Sequence, residues 1–283
     1  MKVLVTGSSG FIGAELLKYL QNMTIVTLGR GQQTGYQHYR VDLNDADAVY
    51  EAVTLIQPDV LIHLAWEGIP DFSPALCERN YQQHVSLFNA ITKTNCKQIL
   101  VSGTCMEYRG LSGGVCESQQ GPDLDEFGNT KIRIFNKAQS MFKDRIFYWV
   151  RPFYVYGPGQ RVGSLIPSLM SSIARGTVPE LRNPDAAQDF VHISDIAEGI
   201  VRLIQSAASS GCYNLGSGHL TAVSSIVEWL GQAWQGRPLT APDVPPKSGM
   251  YADNAKIKQA LAWEPTTSMP EAIRKWVADV KGH

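Results

Sequence analysis

No stretch of this 283-residue chain is apolar for the roughly 20 residues that a bilayer-spanning helix needs. It also lacks any block of like charge, since 25 Lys and Arg face 26 Asp and Glu for a net charge of −1. That balance argues against nucleic acid as a partner and against a solvating tail. Cysteine is sparse and scattered. Cys77, Cys96, Cys105, Cys116 and Cys212 form an odd set without C-x-x-C spacing, so neither a disulfide framework nor a metal site is expected. Internal repeats and low-complexity tracts are missing too. The chain opens directly on the strand-like Lys2-Val3-Leu4-Val5. The expectation is a soluble protein without a signal peptide, in a reducing cytoplasm, not associated with membrane. With 44% hydrophobic residues, the chain has enough apolar material for one large domain or two unequal lobes.

What it has is alternating periodicity. Short β-branched runs at Lys2–Thr6, Thr24–Leu28, Val60–Leu64, Ile99–Ser102 and Phe147–Arg151 predict strands. Amphipathic stretches at Gly10–Leu20, Asp45–Ile56, Asn80–Thr92 and Lys131–Phe142 predict helices between them. This is an α/β pattern, a doubly wound parallel sheet covered by helices on both faces. From about Tyr154 the rhythm loosens into Gly-, Pro- and Ser-rich loops with short helices. The expected division is residues 1–153 and a smaller lobe over 154–283, some of whose elements return to the first sheet.

The first strand-to-helix junction carries Gly7, Gly10 and Gly13, with Phe11 and Ile12 opening the helix. Such glycines permit a tight turn and let backbone approach a pyrophosphate at the positive end of a helix. Residues 1–153 are therefore expected to form a dinucleotide-binding Rossmann domain. The second strand ends in Gly29-Arg30. An acid there would hold the ribose hydroxyls of NAD; Gly29 cannot, whereas Arg30 can pair with a 2′-phosphate and stack on adenine. NADP is expected as the cofactor, with NAD as the alternative.

Further motifs follow in order: Asp42-Leu43, His63-Leu64-Ala65-Trp66, Asn80, Val101-Ser102-Gly103-Thr104, Phe127-Gly128-Asn129-Thr130-Lys131, Arg151-Pro152-Phe153-Tyr154-Val155-Tyr156-Gly157-Pro158-Gly159 and Gln188-Asp189-Phe190-Val191-His192. Together they resemble the extended, atypical short-chain dehydrogenase/reductases, the NAD-dependent epimerase/dehydratase family, over essentially the whole chain. Among these the chain looks most like nucleotide-sugar 4-ketoreductases of deoxysugar biosynthesis. The resemblance implies that Asp42, Leu43, Leu64, Ala65, Trp66, Asn80 and Phe153 line the cofactor site. It implies that Thr104 bonds the substrate oxygen and that Lys131 holds the nicotinamide ribose. Tyr154, Ser164, Leu165 and Gln188 would contact a nucleoside diphosphate sugar in the smaller, mainly substrate-binding lobe. Gln188 stands where the family commonly has arginine, and Arg161, Arg175 and Arg182 are the cations available to replace it.

The departure of greatest consequence is Phe127, which stands where the family places its catalytic tyrosine. A phenyl ring neither gives nor takes a proton, whether the change is a natural loss or an engineered one. Cys105 and Met106 stand where 4,6-dehydratases carry an acidic pair, so dehydration is not expected. The leading expectation is NADP-dependent reduction of a 4-keto-6-deoxy nucleotide sugar, with activity impaired by Phe127. The alternatives are a nucleotide-sugar 4-epimerase and a non-enzymatic NADP-binding sensor. Tyr108 and Tyr154 are the substitute proton donors to examine. The resemblance also implies a homodimer through the helices at 80–92 and 131–142, with Val85, Phe88, Ile132 and Phe135 as apolar positions for the partner.

Overall fold

The computed structural model describes residues 1–239 and 249–282, apart from residues 178, 180, 182, 184 and 185. The chain runs β1 (Lys2–Thr6), α1 (Phe11–Tyr19), β2 (Thr24–Gly29), β3 (Gln37–Arg40), α2 (Ala46–Ile56), β4 (Val60–His63), α3 (Pro74–Thr92) and β5 (Gln98–Ser102). A 3-10 turn, Cys105–Tyr108, and β6 (Gly113–Val115) lead to α4 (Glu126–Met141), β7 (Ile146–Pro152) and β8 (Tyr154–Tyr156). Then come α5 (Leu165–Ala174), β9 (Ala187–Gln188), β10 (Phe190–His192), α6 (Ile193–Gln205) and β11 (Gly211–Leu215). The last elements are β12 (Thr221–Ala222), α7 (Val223–Gln235), β13 (Met250–Ala252), α8 (Ala255–Leu261) and α9 (Met269–Lys281).

Seven strands form the main sheet in the order β11-β7-β5-β4-β1-β2-β3, and every pairing in it is parallel. Alternate side chains feed two separate cores, because successive residues of a strand point to opposite faces. Val3, Val5, Ile62, Leu100, Tyr148 and Val150 meet Leu16 of α1 and Ile196 and Ile200 of α6. Leu4, Val26, Leu61, Ile99, Val101 and Trp149 meet Val53 of α2, Leu87 of α3 and Ile134 of α4. Strands buried on both faces read as near-continuous apolar runs, which is why these were visible in the sequence. A third core unites α5, α7 and α9 through Ile166, Met170, Ile226, Leu230, Ile273 and Val277. From the second half of the chain, β11 joins the edge of the main sheet and α6 packs on α1.

The structure changes several boundaries. Strand β3 was not expected, because its sequence Gln37-His38-Tyr39-Arg40 is polar and only half-buried at the sheet edge. Helix α3 starts at Pro74, six residues before Asn80, with proline in the first turn where its missing N–H costs nothing. Helix α4 starts at Glu126 rather than Lys131, because the Asp125 carboxylate accepts the Gly128 N–H at 2.8 Å. Phe88 is 0% exposed and packs edge-on to Phe142 inside the second core, so it cannot face a partner.

Beneath the C-terminal edge of the sheet lies a buried charged network. Glu107 is 0% exposed, and its carboxylate accepts from Thr104 N at 2.9 Å, Trp149 Nε1 at 3.0 Å and Arg151 Nε at 2.7 Å. Arg151 Nη1 donates in turn to the Tyr108 hydroxyl at 2.7 Å and the Glu117 carbonyl at 3.0 Å. Tyr108 then donates to Asn214 Oδ1 at 2.7 Å. The network ties β5, β7 and β11 together across their ends. Arg151→Met leaves the Glu107 carboxylate buried without its cation, and urea denaturation should show a loss of about 3–5 kcal/mol. A loss no larger than that of an exposed Arg→Met control would remove the network from its place in the stability of the fold.

Candidate functional site

The chain leaves β1 towards β2 and β3 on one side, then returns to place β4 on the other. That reversal opens a cleft at the carboxyl ends of β1, β2 and β4, the usual ligand position in open parallel sheets. Its floor is the glycine turn. Gly7 has φ +72°, and a Cβ on it would lie 2.7 Å from the Ala65 nitrogen and 2.8 Å from the Leu64 carbonyl carbon. A Cβ on Gly13 would overlap the Gly7 carbonyl. Gly10 N donates to Gly7 O at 3.0 Å and closes the turn. Phe11, Ile12 and Gly13 open α1, which has no side-chain cap and no acid in its first turn. Its first N–H groups are thus left for an anion.

Gly29, Arg30, Asp42, Leu43, Leu64, Ala65 and Trp66 all line this cleft. The lining also includes residues given no role in the sequence, among them His38, Glu67 and Gln83. Glu67 Oε1 accepts from Arg30 Nη1 at 3.1 Å, and its Oε2 accepts from Gln83 Nε2 at 2.7 Å. Burial alone would raise the Glu67 carboxyl, but the Gln83 and Arg30 contacts hold it below the usual carboxylate range. Asp42 is held low chiefly by the Asn44 backbone N–H. Asn80 lies within α3 and does not open it. Its Oδ1 accepts the Glu67 N–H at 2.7 Å, while its Nδ2 donates to the Glu67 and Leu76 carbonyls at 3.1 and 2.9 Å. Asn80 therefore shapes the cleft by fixing residue 67. No lone signal in the sequence marked Glu67 or Gln83, because each is a single polar residue in a loop or on a helix.

Next to the cleft stands the wall expected to carry chemistry. Thr104 lies two residues beyond the end of β5 and caps the 3-10 turn, its Oγ1 accepting the Met106 N–H at 3.2 Å. Gly103 must be glycine, since a Cβ there would fall 2.5 Å from Glu107 Oε1. Lys131, on α4, is 4% exposed and donates from Nζ to the Ser102 carbonyl at 2.8 Å. The same Nζ sits 4.5 Å from the Trp66 ring centre and 5.8 Å from that of Phe127. Burial pulls the Lys131 pKa down to about 8, against an opposing pull from Glu107. Phe127 stacks on Phe72 at 4.6 Å and meets the edge of Trp66 at 4.8 Å. His63 is bonded to Thr6 and pushed down to about 3 by burial, helped by Lys131. It is a neutral packing residue.

Tyr108 is not available as a proton donor: it is fully buried, and its hydroxyl is committed to Asn214 and Arg151. Tyr154 is half-buried on β8, and burial pushes its phenol up to about 12. Phe153 is buried and stacked on Tyr108 at 6.1 Å. Burial pushes the Cys105 thiol up to about 12, consistent with a packing role. In the second half of the chain, Ser164 and Leu165 open α5 and Gln188 lies on β9. Arg175 is bonded to Ser171 at 2.6 Å, Arg161 is exposed, and Arg182 lies outside the described residues. The neighbour of Gln188, Asp189, is fully buried. It binds Ser217 N and Oγ at 2.6 Å, Gly218 N at 3.1 Å and Ala252 N at 2.9 Å. It fixes the loop after β11 and was given no role in the sequence.

Among the described residues no group of three His, Cys, Asp or Glu side chains is placed to hold a metal, and no helix is long and apolar enough to cross a membrane. The cleft suits a dinucleotide in two respects. Its floor would be filled by a single Cβ. Among the described residues, its walls also include two buried polar atoms without partners, His38 Nε2 and Trp66 Nε1.

Known proteins of the same build bear this out at the level of family. UDP-glucose 4-epimerase of Pisum sativum is 23% identical over 331 residues, covering 96% of this chain and 93% of that protein. GDP-6-deoxy-D-talose 4-dehydrogenase of Aggregatibacter actinomycetemcomitans is 27% identical over 242 residues, covering 81% of this chain and 79% of that one. The structure of UDP-glucose 4-epimerase from Thermotoga maritima with UDP-glucose superposes with a TM-score of 0.87 at 20% identity, over 100% of this chain and 99% of the other. The family model described as NAD dependent epimerase/dehydratase matches residues 3–216. Since that match runs through the whole main sheet from β1 to β11, the chain belongs to the NAD dependent epimerase/dehydratase family.

Proposed function

We propose that this protein transfers hydride between a nicotinamide dinucleotide and C4 of a nucleoside diphosphate sugar, acting as a reductase of a 4-keto-6-deoxy sugar with NADP. The observation that carries the reading is Lys131 on α4, whose Nζ reaches the Ser102 carbonyl at the end of β5 and the ring of Trp66 in the wall of the glycine-floored cleft, with Thr104 two residues beyond that strand end. The 27% identity to a GDP-6-deoxy-D-talose 4-dehydrogenase supports chemistry at that carbon. When bound, the nicotinamide would supply or accept the hydride. Gly7, Gly10 and Gly13 would cradle its pyrophosphate against α1, and Asp42 and Leu43 would border the adenosine. Arg30 argues for the 2′-phosphate of NADP. Residues 1–153 would bind the dinucleotide, and Tyr154, Ser164, Leu165 and Gln188 the nucleotide sugar.

Thr104 Oγ1 would bond the sugar oxygen. With Tyr108 committed elsewhere, Lys131 Nζ holds the most acidic proton beside Phe127. Its ammonium form exists below a pKa of about 8, so reduction should fall as pH rises through 8, approaching about tenfold per unit. A flat profile from pH 7 to 9.5 would take Lys131 out of that role.

The vacant hydroxyl gives a second test. General acid catalysis is worth about 10²- to 10⁴-fold, so Phe127→Tyr should raise ketone reduction by roughly 10²-fold or more. NADPH oxidation would be followed with a panel of 4-keto-6-deoxy nucleotide sugars. If the Tyr variant gains nothing while the unaltered protein turns over well, Phe127 does not stand in an emptied catalytic position. If neither turns over, the sensor reading takes its place. The Pisum sativum relative favours a 4-epimerase as second reading. It would show with a 4-hydroxy nucleotide sugar such as UDP-glucose, as inversion at C4 without net change in the oxidation state of the nicotinamide.

A C₂ homodimer through α3 and α4 belongs to the same reading. With Phe88 inside the core, the half-buried Val85, Ile132 and Phe135 remain. Light scattering at micromolar concentration should give twice the mass of one chain; a monomer would exclude this interface.

A further inference from the structure

Residue 67 is held more firmly than an ordinary loop position. Its backbone N–H and carbonyl are both bonded to Asn80, at 2.7 and 3.1 Å. Its carboxylate is gripped by Gln83 at 2.7 Å and by Arg30 at 3.1 Å, with Arg79 at 3.8 Å. The Glu67 side chain is 19% exposed, against 58% for Arg30. Helix α3 thus fixes a carboxylate in the wall of the cleft, opposite the end of β2, where Gly29 offers no side chain. Both partners of the ion pair face the same corner.

We infer that Glu67 is a specificity-determining residue for the cofactor: it supplies from the β4–α3 loop the carboxylate that β2 lacks, and restrains the preference for NADP that Arg30 would otherwise confer. The inference rests on the proposed dinucleotide site. A carboxylate at this corner accepts ribose hydroxyls. A 2′-phosphate brought to Arg30 must share that guanidinium with Glu67 and meet its negative charge, a repulsion that a partly buried site screens only in part. Arg30 alone would reward the phosphate. Paired, it rewards it less.

The test is titration of NADH and NADPH, followed by nicotinamide fluorescence, into the unaltered protein, Glu67→Gln and Glu67→Asp. Glutamine keeps the shape and the bond to Gln83 but loses the charge, and should shift the ratio of the two affinities about tenfold towards NADPH. Glu67→Asp keeps the charge and should leave the ratio within about threefold of the unaltered protein. A residue that merely held the loop would change both affinities together. Binding of both cofactors with an unchanged ratio in Glu67→Gln, or equal weakening of the two, overturns this inference and leaves the proposed function standing. Failure of the unaltered protein to bind either dinucleotide overturns both.

Discussion

The ends of three strands depend on one buried carboxylate. Glu107 has no contact with solvent, and it faces Arg151 together with the Trp149 indole and the Thr104 N–H. Taking both charges of such a pair out of water costs several kcal/mol each, and a well-packed apolar pair would offset that burial more simply. What the ion pair adds is direction. Each acceptor and donor has a fixed place, so the turn after β5, the end of β7 and the end of β11 settle in one arrangement. The Glu107–Thr104 bond then sets the backbone of Thr104, and Arg151 draws Tyr108 and Asn214 into the same lattice. A threonine at a strand end becomes a positioned hydroxyl because of residues three and forty-seven places further along the chain.

That dependence explains what was legible in the sequence. Gly7 and Gly13 could be read because part of the requirement is local: Gly7 has a positive φ, and a Cβ on Gly13 would overlap the Gly7 carbonyl. Strands β1, β4 and β5 could be read because burial on both faces leaves an unbroken apolar run. Strand β3 could not, since a half-polar edge strand is recognisable only beside β2. The start of α4 was signalled by Asp125 and passed over in favour of the periodic stretch behind it. Phe88 was assigned to an interface from its position on a helix; spacing alone does not say which apolar face meets the sheet.

The cleft shows the same limit more sharply. Asn80 was legible as a position of note, but its bonds to the backbone of Glu67 and Leu76 were not. Glu67 and Gln83 carried no signal, although the first stands thirty-seven residues from its partner Arg30. Charges that oppose one another across a cleft are separated by whole strand–helix units, and no local pattern records them. Reading Arg30 by itself gave a cation free for phosphate; the fold gives a cation already paired. Asp189 is the equivalent case in the second half of the chain, a fully buried acid whose four donor groups come from two distant segments.

The aromatic surroundings of Lys131 bear on its acidity. An ammonium group carries three donors, and among the described residues one of them has a hydrogen-bond acceptor, the Ser102 carbonyl. The Trp66 face supplies a further attraction, at 4.5 Å, of the kind worth about 0.5–2 kcal/mol. That falls short of the hydration lost on burial, which is why the pKa lies near 8 instead of at the usual lysine value. A tyrosine in place of Phe127 would bring an oxygen to this wall as a further acceptor for the ammonium, and so favour its charged form. With phenylalanine there, packed between Phe72 and Trp66, the ammonium proton is held less tightly. In the proposed site, phenylalanine where a phenol would stand therefore makes the neighbouring ammonium the stronger acid. In the proposed reaction this moves the burden of protonation from an uncharged phenol to a cation that is in part already desolvated.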